Sequence, residues 1–409
     1  MEEFNILKDS QITINYPKTL TLYIHIPFCY IKCPYCDFNT YSQIENLFNS
    51  YIIALKKEIE LWSKPLANSQ IQSVFFGGGT PSYLPIKSIK SLMHSIFSSF
   101  NLNNDAEITF ECNPDDLTAR KLNALLENNV NRLSIGIQSF NNKLLKILGR
   151  NHSATKAQNA IKRSLISGFT NVNIDLMYGL PTQTINDWIE TLDISLNTNP
   201  QHISMYCLTL EKGTPMNEWV KSKKLVNPNP DVAAEMYSLA QQKVKLNQFE
   251  QYEISNWSKP QNKSTHNINY WRNGYYIGIG PGAHSHLPQK RFWNINSPKK
   301  YTNLLTNTQI NITNNFLPPV IEKSEHISKE LEMAETMILG LRLLEGINVC
   351  DFNNRFNINP LTKYNSTISD LVNLNLIYIK NNHIRLTNQG FLLGNEVFSR
   401  ILENVNQDN

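Results

Sequence analysis

Cysteine is scarce in this sequence, with six among 409 residues, too few for a disulfide-stabilised scaffold. Charged residues are also few, at 18%, and no run approaches the roughly 20 apolar residues that a membrane-spanning helix needs. The N-terminal stretch MEEFNILKDS lacks the basic start and the apolar segment of a secretory signal. These absences exclude a disulfide-rich secreted module, and they predict a cytoplasmic protein without a transmembrane segment.

The composition describes a folded protein with enough apolar material for a large core. Hydrophobic residues make up 41% of the chain, which excludes a wholly disordered protein. The 38 basic and 34 acidic residues leave a net charge of +4, which does not by itself indicate nucleic acid as a partner. At roughly 150 residues per domain, the length predicts two to three domains.

Short β-branched runs alternate with helical patterns through the first two hundred residues. This alternation predicts parallel βα units, either in an open doubly wound sheet or in a barrel. Polar or glycine-rich segments follow successive strands, and a barrel assembles its active site at that end of its strands. We therefore predict an α/β fold with a partial (β/α)6 TIM-like barrel over residues 1–210. The predicted strands are Leu20–Ile26, Ile71–Phe76, Glu107–Glu111, Arg132–Ile137, Val172–Tyr178 and His202–Cys207.

Two further segments are predicted after the barrel. Residues 211–320 are dense in aromatic residues, asparagine and glycine, and we interpret them as loops packed on the barrel. Residues 321–409 show helical periodicity over Glu330–Leu344 and Ser366–Leu374, followed by a hairpin pattern over Leu376–Leu386. This order predicts a small winged-helix-like α+β domain. It lacks a dense basic cluster, so we predict no nucleic-acid binding.

Three of the six cysteines, Cys29, Cys33 and Cys36, lie within eight residues of one another in the spacing C-x3-C-x2-C. Three thiolates on one short loop are typical of an iron–sulfur cluster that keeps one iron open for a chelating ligand. The alternative is a three-cysteine zinc site completed by a histidine such as His25. The other three cysteines are scattered singly and are interpreted as packing residues.

Around these cysteines, the segments YIHIPFC and CPYCDF resemble the radical S-adenosylmethionine (SAM) superfamily. More narrowly, the chain is similar to the oxygen-independent coproporphyrinogen III oxidase group and its heme-chaperone branch, and the resemblance extends into a C-terminal HemN-type domain. It implies that the three cysteines hold a [4Fe-4S] cluster. The resemblance also implies the residues that contact SAM, which are Tyr23, Gly78, Gly79, Thr80, Glu111, Gln138, Arg150 and Asp175.

Two positions distinguish the branches of this group. The oxidase pattern has a fourth cysteine two residues past the third, where this chain has Phe38. The segment His266, Asn267, Ile268, Asn269, Tyr270, Trp271 matches the HNxxYW motif of the chaperone branch, which implies heme contacts from His266, Asn267, Tyr270 and Trp271. A histidine can ligate heme iron, and aromatic rings can cover a porphyrin face. The alternative is an aromatic loop with a locally hydrogen-bonded His266, and His284 and His286 are rival ligands.

The resemblance favours a heme chaperone over an enzyme. It implies a protein that carries a [4Fe-4S] cluster and SAM, binds heme and delivers it to heme-requiring proteins, with respiratory proteins as the acceptors. It also suggests a homodimer and at most peripheral contact with the inner membrane. The alternative function is oxygen-independent coproporphyrinogen III oxidase, in which a 5′-deoxyadenosyl radical drives oxidative decarboxylation.

Overall fold

Strands and helices alternate through the first half of the computed structural model, which describes residues 16–307 and 317–407. All six predicted strands are confirmed, and most extend by one or more residues beyond the predicted ends. The elements in chain order are β1 (Thr19–Ile26), β2 (Phe28–Cys29), β3 (Tyr41–Ser42), α1 (Phe48–Ser63), β4 (Gln70–Gly78), α2 (Ile86–Ser99), β5 (Asn101–Cys112), α3 (Ala119–Leu126), β6 (Arg132–Gln138), α4 (Asn142–Ile147), α5 (Ala154–Ile166), β7 (Val172–Tyr178), α6 (Ile185–Asn197) and β8 (His202–Cys207).

Residues 211–307 contain regular structure where the sequence analysis predicts loops, so that prediction is wrong. These strands have only three to five residues, too short for the two-residue periodicity to stand out. The elements, with the strand that follows the undescribed segment, are α7 (Pro215–Lys221), α8 (Pro230–Leu246), β9 (Glu250–Glu253), β10 (Asn256–Ser258), α9 (Thr265–Trp271), β11 (Tyr276–Ile279), β12 (His284–Leu287), β13 (Lys290–Asn294), α10 (Pro298–Asn307) and β14 (Ile321–His326).

These later strands extend the parallel sheet at both of its edges. The order across the sheet is β14-β13-β12-β11-β1-β4-β5-β6-β7-β8-β10-β9. Strand β11 pairs in parallel with β1, and the strands from β1 to β8 in this order are also parallel. The additions beyond β11 and β8 are antiparallel. Because β14 and β9 lie at opposite ends of this order, the barrel is partial rather than closed.

The two faces of the sheet differ in chemistry. On β1, the side chains of Leu22, Ile24 and Ile26 are buried in the main hydrophobic core. The alternate residues of the strands form the other face, which we call the inner face. This face is polar although it is largely buried, and on β5 and β6 it includes Glu107 and Arg132. A polar interior provides fixed hydrogen-bonding groups around the functional site.

The C-terminal domain has a hydrophobic core of its own, made by residues from Met333 to Ile401. The predicted helices and hairpin are confirmed, with further helices around them. No helix in the described ranges is long and apolar enough to cross a membrane. The elements are α11 (Lys329–Gly340), β15 (Ile347–Asn348), α12 (Val349–Phe356), α13 (Pro360–Lys363), α14 (Asn365–Asn373), β16 (Ile377–Lys380), β17 (His383–Leu386), α15 (Asn388–Leu392) and α16 (Gly394–Gln407).

Candidate functional site

The cysteine loop begins where β1 and β2 end, at the carboxyl edge of the parallel strands. Cys29 is the last residue of β2, and the Cys36 amide donates to the Cys33 carbonyl at 3.1 Å, which closes a tight turn. All three thiols are free and half-buried. The Thr80 hydroxyl donates to Cys29 Sγ at 3.6 Å, and the Thr40 hydroxyl lies 3.9 Å from Cys36 Sγ. The loop is therefore held against the end of β4.

The donor set of this loop fits an iron–sulfur cluster better than zinc. Burial raises the pKa of the Cys29 thiol, and the nearby Cys36 and Cys33 sulfurs raise it further. Both ring nitrogens of His25 are already hydrogen-bonded, to the Tyr23 hydroxyl at 3.0 Å and the Asn39 carbonyl at 2.9 Å. Within the described ranges, no three His, Cys, Asp or Glu side chains are grouped to hold a single metal ion. A cluster, by contrast, takes its thiolates on separate irons.

Arg150 lies between the cysteine loop and the strand ends. Its guanidinium donates to Cys33 Sγ at 3.7 Å, to Asn113 Oδ1 at 3.1 Å and to the Gly136 carbonyl at 2.7 Å. A fixed positive charge at this position would offset the negative charge of cysteine ligands on a bound cluster. The structure thus places Arg150 in the site and excludes the surface position that an arginine in a loop often has.

The glycine segment after β4 passes close to the cysteine loop. Gly78 has a φ of +107°, and a Cβ atom there would lie 2.4 Å from the His25 ring. A Cβ atom on Gly79 would lie 2.6 Å from the Phe28 carbonyl and 3.0 Å from Cys29 Sγ. Both positions therefore require glycine, one for its backbone conformation and its space, the other for its space.

Two carboxylates lie on the inner face beside these glycines. The Gly78 amide donates to Glu111 Oε2 at 3.2 Å, and Asp175 accepts from the Ser134 hydroxyl at 3.0 Å and the Asn173 amide at 2.8 Å. Burial raises the pKa of Glu111 to about 8, and the nearby charge of Asp175 raises it too. Two half-buried carboxylates that repel each other suit a cationic ligand, which would relieve the repulsion.

The remaining predicted SAM contacts lie around the same space. Gln138 ends β6 with a φ of +67°. A Cβ atom on Gly136 would lie 3.0 Å from Gln138 Nε2 and 3.3 Å from a guanidinium nitrogen of Arg150, so both side chains approach Gly136. Tyr23 is half-buried on β1, where the charge of Glu111 acts on its hydroxyl. The structure thus brings together residues from β1, β4, β5, β6 and β7 and from the loop after α4.

Comparison with known proteins identifies the family. Residues 23–194 match the model of the radical SAM superfamily, and residues 327–393 match the HemN C-terminal domain. The chain is 35% identical over 381 residues to the heme chaperone HemW of Bacillus subtilis, which covers 93% of this chain and 98% of that one. It is 34% identical over 391 residues to HemW of Lactococcus lactis, with 95% and 99% covered. The chain belongs to the HemW family.

A solved structure supports the same fold for this HemW-family chain. Coproporphyrinogen III oxidase (HemN) from Escherichia coli, described as a radical SAM enzyme, matches with a TM-score of 0.81 at 22% identity. The match covers 94% of this chain and 90% of that one. It confirms the radical SAM barrel with its C-terminal domain.

The HNxxYW segment forms α9, which enters the bottom of the barrel on the inner face. His266 is 1% exposed and stacks on Phe75, with ring centroids 5.0 Å apart. Its Nδ1 lies 2.8 Å from the Ser73 hydroxyl, and its Nε2 lies 3.0 Å from the Tyr270 hydroxyl. Burial lowers the pKa of His266 to about 3, with a further contribution from Arg132. Both nitrogens of this imidazole are therefore engaged within the protein.

The other motif residues tie α9 to its surroundings. The Asn267 amide donates to the Ser264 hydroxyl at 3.3 Å, which caps the helix. The Tyr270 ring contacts Tyr276 edge-on, with centroids 4.7 Å apart. Trp271 lies under the Arg342 guanidinium, 4.5 Å from the ring centroid, beside the C-terminal domain. The motif thus spans from the barrel interior to that domain.

The two rival histidines lie on β12 and differ sharply in exposure. His286 is 2% exposed, and its Nδ1 lies 3.4 Å from the Gly274 carbonyl. His284 is exposed and stacks on Trp293, with centroids 5.3 Å apart and planes inclined by 20°. Partial burial and the charge of Arg291 lower the pKa of His284, which favours its neutral form.

Several residues that organise the site were missed by the sequence analysis. Glu107 accepts hydrogen bonds from the Ser264 hydroxyl and from the amides of Thr265 and His266, so it anchors the start of α9. Arg132 is 1% exposed in the barrel interior. The sequence did contain a signal for these residues. Polar residues recur at every second position of β5 and β6, and this alternation indicates a polar inner face.

Proposed function

We propose that this protein binds heme and delivers it to heme-requiring proteins, with respiratory proteins as the acceptors. The observation that carries the proposal is the similarity to HemW heme chaperones, which extends over 93% of this chain and 98% of the Bacillus subtilis relative. A similarity of this extent includes both the barrel and the C-terminal domain, so it concerns the whole molecule rather than a shared module.

A [4Fe-4S] cluster on Cys29, Cys33 and Cys36 forms part of this proposal. The three free thiols, the adjacent Arg150 guanidinium and the hydroxyl of Thr80 support it, because they supply ligands and stabilise negatively charged sulfur. When bound, such a cluster supplies an electron and an open iron site. The residues of this chain would hold it at the mouth of the barrel.

SAM is the proposed ligand of the space next to the loop. Glu111 and Asp175 present carboxylates to a molecule that carries a sulfonium and an ammonium group, and the glycines after β4 allow backbone to approach it. Tyr23 and Gln138 border the same space. Because Gly78 packs tightly against His25, these two residues would limit how far the ligand enters this space.

The predicted heme contacts His266, Asn267, Tyr270 and Trp271 stay a prediction, and the geometry favours a structural role for His266. Its two ring nitrogens hydrogen-bond to Ser73 and Tyr270, so coordination of iron would require one of these bonds to break. We retain a cytoplasmic location, peripheral membrane contact and a homodimer as parts of the proposal.

The test combines metal analysis, heme titration and an enzyme assay on the full-length protein. After anaerobic reconstitution, wild type and Cys350→Ala should hold a full complement of iron and sulfide, whereas Cys33→Ala should not. Cys350 is an exposed thiol in the C-terminal domain and is therefore a matched control. A Cys33→Ala protein with a full cluster would contradict the ligand assignment.

The second half of the test separates chaperone from oxidase. Wild type titrated with hemin should give saturable binding with a shifted Soret band. The same protein with SAM and reductant should not decarboxylate coproporphyrinogen. Turnover at a catalytic rate would overturn the proposal in favour of the oxidase, and a lack of heme binding would remove its basis.

A further inference from the structure

A row of buried polar side chains crosses the inner face of the barrel from β6 to β8. In the register of these parallel strands, Ser134 pairs with Asn173, and Asn173 pairs with His202. Cross-strand partners lie on the same face of a sheet, so a hydroxyl, an amide and an imidazole are neighbours here. All three side chains are buried, and His202 is 0% exposed. Polar groups buried in this way need hydrogen-bond partners, and the partners of this row extend in two directions.

Toward the carboxyl ends of the strands, the row reaches the candidate SAM site. Asn173 Nδ2 donates to Asp175 Oδ1 at 2.8 Å, and the Ser134 hydroxyl donates to Asp175 Oδ2 at 3.0 Å. On its other side, Asn173 Oδ1 lies 2.6 Å from His202 Nδ1. A single asparagine therefore connects the imidazole of His202 to a carboxylate of the candidate SAM site.

In the other direction, the row reaches the start of α9. His202 Nε2 lies 2.8 Å from the Tyr252 hydroxyl on β9, and the Ser264 amide donates to the same hydroxyl at 3.3 Å. Ser264 is the N-cap of α9, where its hydroxyl accepts from the Asn267 amide. The continuous set of hydrogen-bonded residues, which we call the His202 chain, is Asp175, Asn173, His202, Tyr252 and Ser264.

The direction of the hydrogen bonds along the His202 chain is fixed by its two ends. A backbone amide can only donate, so the Tyr252 hydroxyl accepts from it and donates its own proton to His202 Nε2. An ionised carboxylate can only accept, so Asn173 turns Nδ2 to Asp175 and Oδ1 to His202, whose Nδ1 must donate. Burial and the charge of Arg132 lower the pKa of His202, which keeps the ring neutral. Both ends thus require the same tautomer, and hydrogen bonds in one direction polarise one another.

We propose that His202 is a positioning residue that orients the Asp175 carboxylate through Asn173. Through Tyr252, the same imidazole ties this carboxylate to the start of α9. The inference rests on the SAM site of the proposed function and extends that site to the residues behind its carboxylate. A ligand that holds Asp175 in place stabilises the chain, and the chain holds Asp175 in place for the ligand. Binding of SAM and the order of the α9 start are therefore coupled, and such coupling is reciprocal.

A second anchor at the start of α9 makes this coupling separable from unfolding. Glu107 accepts from the Ser264 hydroxyl at 3.2 Å and from the Thr265 amide at 2.9 Å. Because Ser264 is bonded to both Glu107 and Tyr252, loss of the Tyr252 hydroxyl leaves the helix attached to the barrel. The same loss removes the connection between the helix and the carboxylate.

The experiment compares two variants that each remove one hydroxyl from a buried tyrosine. Tyr252→Phe interrupts the His202 chain, whereas Tyr237→Phe removes a hydroxyl that donates to the Ile254 carbonyl outside the chain. In equilibrium dialysis with the reconstituted full-length protein, the affinity of Tyr252→Phe for SAM should fall about fivefold or more, the range expected for coupled sites. Tyr237→Phe should bind SAM like wild type.

Hydrogen exchange of the backbone amides at residues 264–267 gives a readout that a merely structural role would not change. In wild type, SAM should slow this exchange more than it slows exchange in α2, which contributes no residue to the chain. In Tyr252→Phe, this additional protection should be absent. His202→Gln keeps one donor and one acceptor and should retain part of the protection, whereas His202→Leu should lose it.

The outcomes separate this inference from the proposed function. If wild type does not bind SAM, the SAM site of the proposed function fails. If wild type binds SAM and Tyr252→Phe shows the same affinity and the same protection, the positioning role is wrong while the SAM site stands. An equal loss in Tyr237→Phe would also overturn the role, because any buried hydroxyl would then have the same effect. Should His202→Leu fail to fold, Tyr252→Phe still decides the question, since it keeps the aromatic ring.

Discussion

Removal of the His266 side chain should destabilise the barrel rather than abolish heme ligation. His266→Ala deletes a ring that is 1% exposed, hydrogen-bonded to Ser73 and Tyr270 and stacked on Phe75. Each buried hydroxyl left without a partner costs about 1–3 kcal/mol, and a cavity adds to this cost. Because both hydroxyls can rotate and so recover part of this cost, we expect the free energy of unfolding to fall by about 3 kcal/mol.

Thermal unfolding measured by circular dichroism tests this value. For a large domain, a change of 1 kcal/mol in the free energy of unfolding shifts Tm by about 2 °C, so Tm should fall by about 6 °C. His284→Ala is the matched control, because its exposed ring has no hydrogen bond among the residues that the structure describes, and its loss should change stability by no more than about 0.5 kcal/mol. Heme titration below the transition should leave the Soret band of His266→Ala close to that of wild type. A variant that melts with wild type but no longer ligates heme would refute the structural role.

The other predictions concern backbone strain, pH and helix capping. Gly78→Ala should weaken SAM binding by at least about tenfold in equilibrium dialysis, because its Cβ atom would lie 2.4 Å from the His25 ring. Gly213 also has a positive φ, but a Cβ atom added there would meet no described atom within 4 Å, so Gly213→Ala should bind SAM like wild type. Burial lowers the pKa of His266 to about 3, and unfolding returns it to about 6.5. The unfolded state therefore binds more protons between these values, so urea stability should fall as pH decreases from 6.5 to 3, and His266→Gln should show a shallower fall. Glu107→Ala should lower the urea midpoint by the equivalent of about 2 kcal/mol, since three donors at the start of α9 lose their acceptor; an unchanged midpoint would contradict this anchoring role.

The sequence alone was sufficient to predict six strands of the parallel sheet, β1 and β4 to β8. Its strands are long, β-branched and separated by amphipathic helices, and such local patterns specify strand and helix without knowledge of distant contacts. The cysteine spacing likewise located the cysteine loop, because the three residues lie within eight consecutive residues. The short strands β9 to β13 were missed, because strands of three to five residues carry too little periodicity to be recognised.

The arrangement of the candidate site depends on contacts between residues far apart in sequence. Glu111 and Asp175 influence each other because β5, β6 and β7 lie side by side, which no local pattern specifies. The same holds for the contacts of Asn39 with the Pro281 and Asn296 carbonyls, which bring the chain around β12 and β13 next to the cysteine loop.

The HNxxYW motif shows what the sequence determines and what only the tertiary structure determines. The sequence determined that a histidine and two aromatic residues occur together on a short segment, which suits either a heme contact or a packed core. Only the tertiary structure decided that His266 meets Ser73 from β4 and that His284, in a less conspicuous segment, is exposed. The reason is physical: residue type sets what an imidazole can bind, whereas burial and the partners brought by other strands set whether it is available.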